Sequence, residues 1–143
     1  MFINLNFIII SIMKDIYITS TLKFEWNREF NPKLCQKLEG RGVVCHLPQR
    51  DTNQSGIEFD KYEQNIQGID NSAKVLAVGV NESINWGLEV GYAFGIKKEV
   101  ILLLDKEHQI PTMSLGMYSK ILKVDNLDDI ESYLDELVES IKK

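Results

Sequence analysis

Two almost continuously apolar runs constrain the fold of this chain more than any other feature of its sequence. They lie at residues 74–80 (KVLAVGV) and 99–104 (EVILLL), and residues 15–20 (DIYITS) form a third candidate for a buried strand. Strands that are apolar on both faces are typical of a parallel sheet covered by helices on both sides. The segment 84–95 between two of these runs has apolar residues at helical spacing, so strand and helix alternate.

Further segments extend this alternation along the chain. Residues 43–47 and 120–124 are predicted to form two more strands, with polar or irregular loops at 49–56 and 105–119. We predict helices at residues 26–38 (regular only from Pro32, and ended by Gly40 and Gly42), at 57–69, at 84–95 and from about Leu127 onward. The predicted fold is a single doubly wound α/β domain, flavodoxin-like or Rossmann-like, with a five-stranded parallel sheet.

The first twelve residues, MFINLNFIIISI, differ from the rest of the chain. The segment is apolar but shorter than the roughly 20 residues that span a bilayer, and it lacks the basic start and cleavage site of a signal peptide. We therefore expect residues 1–12 to be an extension outside the core, with Met13 as the functional start and residues 13–143 as the domain. A membrane-binding or partner-binding arm is the alternative.

The composition excludes several classes of function. With 16 basic and 21 acidic residues the net charge is −5, which disfavours binding to nucleic-acid polymers. Cys35 and Cys45 form no disulfide framework and no recognisable metal motif, so we expect reduced thiols in a cytoplasmic protein with no metal and no cofactor.

Ligands of open α/β sheets bind at the carboxyl ends of the strands. Several common chemistries have no motif at that edge, because the chain lacks a Walker A sequence, a GxGxxG after the first strand and a GxSxG elbow. Of the two histidines, His46 is interpreted as structural, and His108 lies in the long loop with nothing to mark it.

The segment 81–93 (NESINWGLEVGYA) stands out at this edge, between the third strand and its helix. It places Glu89 near the start of the helix, where the helix dipole favours an ionised carboxylate. Gly87 and Gly91 flank Glu89 at two residues on either side and would let a substrate or another backbone approach closely. From the residues alone, an ordinary acidic residue at a helix start is the favoured interpretation of Glu89.

At these residues the chain resembles the nucleoside 2-deoxyribosyltransferase family, which has a G-x-E-x-G-Y-A stretch where residues 87–93 read GLEVGYA. Weaker similarities follow in the same order over nearly all of residues 14–143, at 16–18 (IYI), 47–51 (LPQRD), 65–69 (NIQGI) and 113–114 (MS). The resemblance implies an enzyme that cleaves N-glycosidic bonds of nucleosides or nucleotides and acts on small molecules, namely the nucleoside or nucleotide and a free base.

The resemblance also implies roles for single residues. Glu89 would attack the anomeric carbon and form a glycosyl-enzyme ester, with Tyr17 orienting or stabilising it. Asn65 and Asp51 would assist departure of the base, and Gln49 and Asp51 would read base edges. From the residues alone, Tyr17 equally fits an ordinary aromatic residue of a strand and Asn65 an amide on a helix surface. Gln49 and Asp51 equally fit ordinary polar residues of a loop.

One departure bears on the substrate. Six residues before the nucleophile, where transferases of the family carry an Asp that contacts the sugar, this chain has Ser83. The related 2′-deoxynucleoside 5′-monophosphate N-hydrolases use Ser there to hold phosphate, and Ser20 and Lys23 in the first loop would be further contacts. Ser83 is equally suited to cap the helix. Deoxyribosyl transfer is the first expectation, and hydrolysis of a monophosphate is the alternative.

The family completes its sites across subunits, so Met113 and Ser114 are expected to reach a neighbouring site in a homo-oligomer. Two other classes of function remain: a non-catalytic nucleotide-binding module on this fold, and a flavodoxin-like carrier or receiver domain. A receiver requires acidic residues at the end of the first strand, where this chain has Ser20 and Thr21.

Overall fold

A computed structural model of the chain describes residues 13–143, so the expectation for residues 1–12 lies outside the described part. The core is one five-stranded sheet in which every neighbouring pair is parallel, in the order β2-β1-β3-β4-β5. The strands are β1 (Lys14–Thr19), β2 (Cys45–His46), β3 (Ser72–Val78), β4 (Glu99–Asp105) and β5 (Lys120–Val124). The predicted α/β class and five parallel strands are confirmed.

Helices cover both faces of this sheet. They are α1 (Glu25–Glu39), α2 (Pro48–Asp51), α3 (Glu58–Asp70), α4 (Ile84–Gly95) and α5 (Leu134–Lys142), with short 3₁₀ turns at Thr112–Ser114 and Ile130–Ser132. Side chains alternate across each strand, so Ile16 and Ile18 of β1 join the core beneath α1 and α5, whereas Tyr17 joins the core beneath α3 and α4. In residues 13–143, no helix has the length and apolarity needed to cross a membrane.

The prediction that the first helix is regular only from Pro32 was wrong, because α1 begins at Glu25 and passes through Pro32. Proline has no N–H, so the carbonyl of Arg28, one turn earlier, loses its helical donor. The side-chain amide of Gln49 donates to this carbonyl at 2.9 Å instead. A contact distant in sequence therefore satisfies the polar group that the proline leaves unpaired.

Two further boundaries differ from the predictions. The predicted second strand, 43–47, pairs only at Cys45 and His46, and the polar loop after it begins with the four-residue helix α2. The last helix starts at Leu134 rather than near Leu127, because a 3₁₀ turn precedes it. The predicted apolar stripe is nevertheless buried along its whole length: Leu127, Ile130, Leu134, Leu137 and Ile141.

Candidate active site

A cavity of about 540 Å³ opens where the loops after β1, β2 and β3 meet, at the carboxyl edge of the sheet. This is the edge at which parallel α/β sheets bind ligands. Its walls combine hydroxyl, amide, lysine and carboxylate side chains with several apolar ones. They are formed by Thr19, Ser20, Thr21, Leu22, Lys23, Pro48, Thr52, Gln54, Glu58, Lys61, Tyr62, Asn65, Ile66, Ser83, Asn85, Trp86, Leu88 and Glu89.

Glu89 lies in the second turn of α4, slightly deeper into the helix than predicted, and its carboxylate borders the cavity. Two hydroxyls from β1 hold it: Thr19 donates to Oε2 at 2.6 Å, and Tyr17 donates to Oε1 at 3.1 Å. Tyr17 and Thr19 are two residues apart, so the strand places both on the face that α4 covers. Both are almost fully buried, which fixes the orientation of the carboxylate.

The surroundings of this carboxylate shift two pKa values. Burial raises the pKa of Glu89 above the usual carboxyl value, and the hydrogen bonds from Thr19 and Tyr17 partly offset that rise. Burial, and then the negative charge of Glu89, raise the pKa of Tyr17. Tyr17 therefore remains a hydrogen-bond donor wherever Glu89 is ionised.

The ring of Tyr17 is held from behind by His46 and Gly68. The His46 ring stacks on it with centroids 5.0 Å apart and an angle of 18° between the planes. A Cβ at Gly68 would lie 2.8 Å from His46 Nε2 and 2.9 Å from Tyr17 Cε2, so α3 can pass this close only because residue 68 is glycine. Burial lowers the pKa of His46, which favours a neutral ring in the stack.

Ser83 borders the cavity and caps α4, because its Oγ accepts a hydrogen bond from the Trp86 N–H at 3.2 Å. The expected capping role is therefore observed, and a hydroxyl engaged in a cap can still donate outward. Ser20 stands in the neighbouring loop, where its Oγ accepts from Asn27 at 3.1 Å. The same amide group of Asn27 also donates to the Val80 carbonyl at 3.1 Å, joining the loops after β1 and β3.

Two lysines and an amide complete the polar wall. Lys23 follows β1, and Lys61 lies on α3, one turn before Asn65. Thr52 donates to the Asn65 side-chain oxygen at 2.8 Å, which leaves the Asn65 NH₂ group available as a donor. Glu58 lines the same wall and accepts a hydrogen bond from Lys61 at 3.0 Å, so Lys23 is the cation that, beside the neutral donors, suits an anionic or strongly polar part of a ligand.

The structure does not bring all predicted residues to this cavity. Gln49 and Asp51 lie outside its lining: Gln49 bonds Arg28, and Asp51 accepts from the Leu47 N–H at 2.9 Å and pairs with Arg50. Gly87 is exposed and also lies outside the lining, and a Cβ there would meet nothing within 4 Å.

The residues predicted to reach a neighbouring subunit also lie outside the cavity. Met113 is 85% exposed. Ser114 is buried and accepts a hydrogen bond from Tyr118 at 2.7 Å.

Other residues at the site were not anticipated from the sequence. Thr19 makes the shorter of the two bonds to Glu89, and the period of two along β1 from Tyr17 was a signal that could have identified it. Lys61, Tyr62 and Trp86 carry no comparable local signal, because only the packing of α3 and α4 brings them to the cavity.

The arrangement is suited to attack by a carboxylate or to stabilisation of positive charge beside it. Glu89 is fixed by two donors and borders a cavity large enough for a small ligand. The side chains of Tyr62, Ile66 and Leu88 add apolar surface to the cavity wall. A possible metal-ligand cluster at Cys35, Glu39 and Cys45 lies outside the cavity.

The chain is similar to one protein family and to several solved structures. A family model described as nucleoside 2-deoxyribosyltransferase matches residues 16–136. A 2-deoxyribosyltransferase from Bacillus psychrosaccharolyticus shares the fold at 19% identity and TM-score 0.67, over 86% of this chain and 94% of that one. A CMP N-glycosidase from Clostridium botulinum shares the fold at 18% identity and TM-score 0.67, over 85% of this chain and 98% of that one.

A conserved protein from Enterococcus faecalis V583 is also similar, at 15% identity and TM-score 0.71, over 91% of this chain and 98% of that one. No curated protein sequence matches the chain. At these identities the solved structures establish the fold, whereas the family model covers most of the chain.

Proposed function

Because the chain belongs to the nucleoside 2-deoxyribosyltransferase family, we propose that it cleaves the N-glycosidic bond of a (deoxy)nucleoside and transfers the sugar to another base, with Glu89 as the nucleophile. The observation that carries this proposal is the position of the Glu89 carboxylate, which borders the cavity and is oriented by Tyr17 and Thr19. A preorganised carboxylate is what a retaining glycosyl transfer requires.

In the first step, a Glu89 oxygen forms a bond to the anomeric carbon as the bond from that carbon to the base nitrogen breaks. The bonding electron pair leaves with the base, which is neutralised by a proton from solvent. In the second step, a nitrogen of the incoming base attacks the same carbon and gives up its proton to solvent, while the ester to Glu89 breaks and the free carboxylate returns. Two inversions retain the configuration.

The neighbouring residues support this chemistry in different ways. Tyr17 and Thr19 hold the carboxylate in one orientation before attack, so little reorganisation is needed. The NH₂ group of Asn65, whose side-chain oxygen already accepts from Thr52, would donate to an acceptor on the leaving base. Gln49 and Asp51, which lie outside the lining of the cavity, are assigned no part in this step.

A second candidate, N-glycosidic hydrolysis of a (deoxy)nucleoside 5′-monophosphate, is favoured by the polar wall of the cavity. Ser83 stands at the helix N-terminus, and Ser20, Thr21 and Lys23 of the loop after β1 line the same cavity. Hydroxyls, a helix N-terminus and a lysine suit a phosphate dianion, which an acidic residue at position 83 would repel. Water would then replace the incoming base in the second step.

Two incubations separate these activities. Purified protein is supplied first with deoxyinosine and adenine, and then with a deoxynucleoside 5′-monophosphate in water alone, and products are resolved by chromatography. Deoxyadenosine in the first mixture supports transfer. Free base and sugar phosphate without an acceptor sink the transfer proposal in favour of hydrolysis. Ligand binding without product in either, and unchanged by Glu89→Gln, would favour a non-catalytic nucleotide-binding module.

Ser83→Asp provides a matched test of the phosphate contact. Aspartate caps helices about as well as serine, so α4 keeps its N-cap while the cavity gains a negative charge. If Ser83 faces a phosphate, kcat/KM for the monophosphate falls at least about 10-fold, with little change for the nucleoside. An equal effect on both substrates would contradict this assignment.

We further propose a homo-oligomer located in the cytoplasm. Exposed apolar side chains support association: Ile84 is 81% exposed, Leu88 66% and Met113 85%. The two free cysteines are consistent with a reducing compartment. Sedimentation of wild type and Met113→Asp tests the association, and a wild-type monomer at working concentrations would contradict it.

A further inference from the structure

We propose that Cys35, Glu39 and Cys45 bind a thiophilic divalent cation of the zinc class, at a site separate from the cavity. The two thiols come from different elements, with Cys35 on α1 and Cys45 on β2, and Glu39 lies one helical turn after Cys35. One potential ligand atom from each residue lies within 4.8 Å of the other two. This proposal is independent of the glycosidic chemistry.

The distances match those between ligands of a tetrahedral ion. Zinc binds thiolate sulfur at about 2.3 Å and carboxylate oxygen at about 2.0 Å, which places the two ligand atoms about 3.5 Å apart at a tetrahedral angle. Cys35 Sγ and Glu39 Oε1 are 3.5 Å apart. Two thiolates and one carboxylate favour zinc or cadmium over magnesium or calcium.

The three side chains differ in burial, so the exposed Glu39 gives an ion access from solvent and the two buried cysteines hold it away from water. Cys35 and Cys45 are 2% and 1% exposed, whereas the Glu39 side chain lies at the surface. The Val43 carbonyl, 3.8 Å from Cys45 Sγ, or a water molecule completes the coordination.

Arg50 already supplies the outer contacts that a metal site needs. Its guanidinium donates to Glu39 Oε1 at 2.7 Å and to the Cys45 carbonyl at 3.1 Å, and Asp51 holds it through two further bonds. Such contacts orient ligands and tune their affinity. Two thiolates, a carboxylate, the divalent ion and Arg50 carry no net charge, and the paired Asp51 gives the whole cluster a charge of −1.

Binding is a simple exchange. The cation forms one bond to each sulfur, and the two thiol protons pass to solvent, with no oxidation or reduction. The test uses the full chain, reduced and stripped of metal, titrated with Cd²⁺ while the ultraviolet thiolate-to-cadmium band and released protons are measured. We expect saturation at one Cd²⁺ per chain, and displacement by Zn²⁺.

Variants assign the ligands. Cys35→Ser and Cys45→Ser should each abolish the one-to-one band, and Glu39→Gln should weaken binding at least about 10-fold. Glu131→Gln is the matched control, because Glu131 is an exposed acid that pairs with Lys37 of α1, the helix that carries Cys35 and Glu39. It should bind Cd²⁺ like the wild type.

A band that fails to saturate, or that survives loss of either cysteine, would overturn the proposal. If the cysteine variants do not fold, wild-type protein provides a second measurement, because bound Cd²⁺ should protect both thiols from a thiol reagent. A disulfide that re-forms after reduction and excludes Cd²⁺, or thiols that react equally fast with and without the ion, would also overturn it.

Discussion

Substitution of Gly68 by alanine tests whether the packing behind Tyr17 controls the Glu89 carboxylate. The new Cβ would lie 2.8 Å from His46 Nε2 and 2.9 Å from Tyr17 Cε2, distances that real Cβ contacts do not show. Because Gly68 lies in α3 and its neighbours are two stacked rings, the rings must move by about half an ångström to restore ordinary contact.

The magnitude follows from the hydrogen bond that this movement disturbs. Tyr17 donates to Glu89 at 3.1 Å, so a shift of half an ångström takes the pair out of hydrogen-bonding range. A bond to a charged group contributes about 1.5–3 kcal/mol, which predicts a fall in kcat/KM of about 10-fold to 100-fold. Overpacking costs about 1–3 kcal/mol of stability, which the helix propensity of alanine offsets by up to about 1 kcal/mol.

The assay compares Gly68→Ala, Tyr17→Phe and the double variant, using whichever substrate the wild type turns over fastest. Tyr17→Phe removes the hydroxyl but keeps the ring, so Gly68→Ala should cause little further loss of activity in that background. Gly95→Ala is the control, because its Cβ would meet open space at the end of α4. Full activity of Gly68→Ala, or multiplicative losses in the double variant, would refute the coupling.

Two further predictions concern single hydrogen bonds, and a third concerns the ionisation of Glu89. Gln49→Ala should lower the free energy of unfolding in urea by about 1–2 kcal/mol, because it leaves the Arg28 carbonyl, one turn before Pro32, without its donor. It should leave KM unchanged, and a raised KM would indicate that Gln49 binds substrate. Thr19→Val removes a donor that lowers the pKa of Glu89, so the acidic limb of the kcat/KM profile should move to higher pH; an unmoved limb would contradict this. Because burial raises the folded pKa of Glu89, the folded state holds that proton more tightly, and the free energy of unfolding should fall as pH rises from the unfolded value of about 4.3 through the folded pKa. Glu89→Gln should lack this fall, and parallel pH profiles for the two proteins would oppose it.

Much of the fold was predictable because its signal is local. The apolar runs of β3 and β4 can be satisfied only between two layers of helices, and the predicted bounds of α4 and β5 agree with the structure. The start of α1 was missed because the donor that compensates Pro32 comes from Gln49, which is distant in sequence. No local pattern around the proline contains that contact.

The candidate site was predictable only in part, for a similar reason. The position of Glu89 at the ligand-binding edge follows from the order of strands. Tyr17 bonds the Glu89 carboxylate and Asn65 borders the cavity, and the roles of all three residues stay predictions. Gln49 and Asp51 belong to a polar loop whose direction depends on what their side chains bond. The structure directs them to Arg28 and Arg50 instead of the cavity.

The most direct test of the account is to identify the residue that carries the sugar during turnover. The protein is mixed with its substrate in the absence of an acceptor, quenched in acid and digested, and its peptides are weighed by mass spectrometry. A substrate with fluorine at C2′ slows both steps and allows the intermediate to accumulate. The account predicts one added glycosyl group on the peptide that contains Glu89, and none in Glu89→Gln. A glycosyl group on another residue, or undiminished turnover by Glu89→Gln, would contradict it.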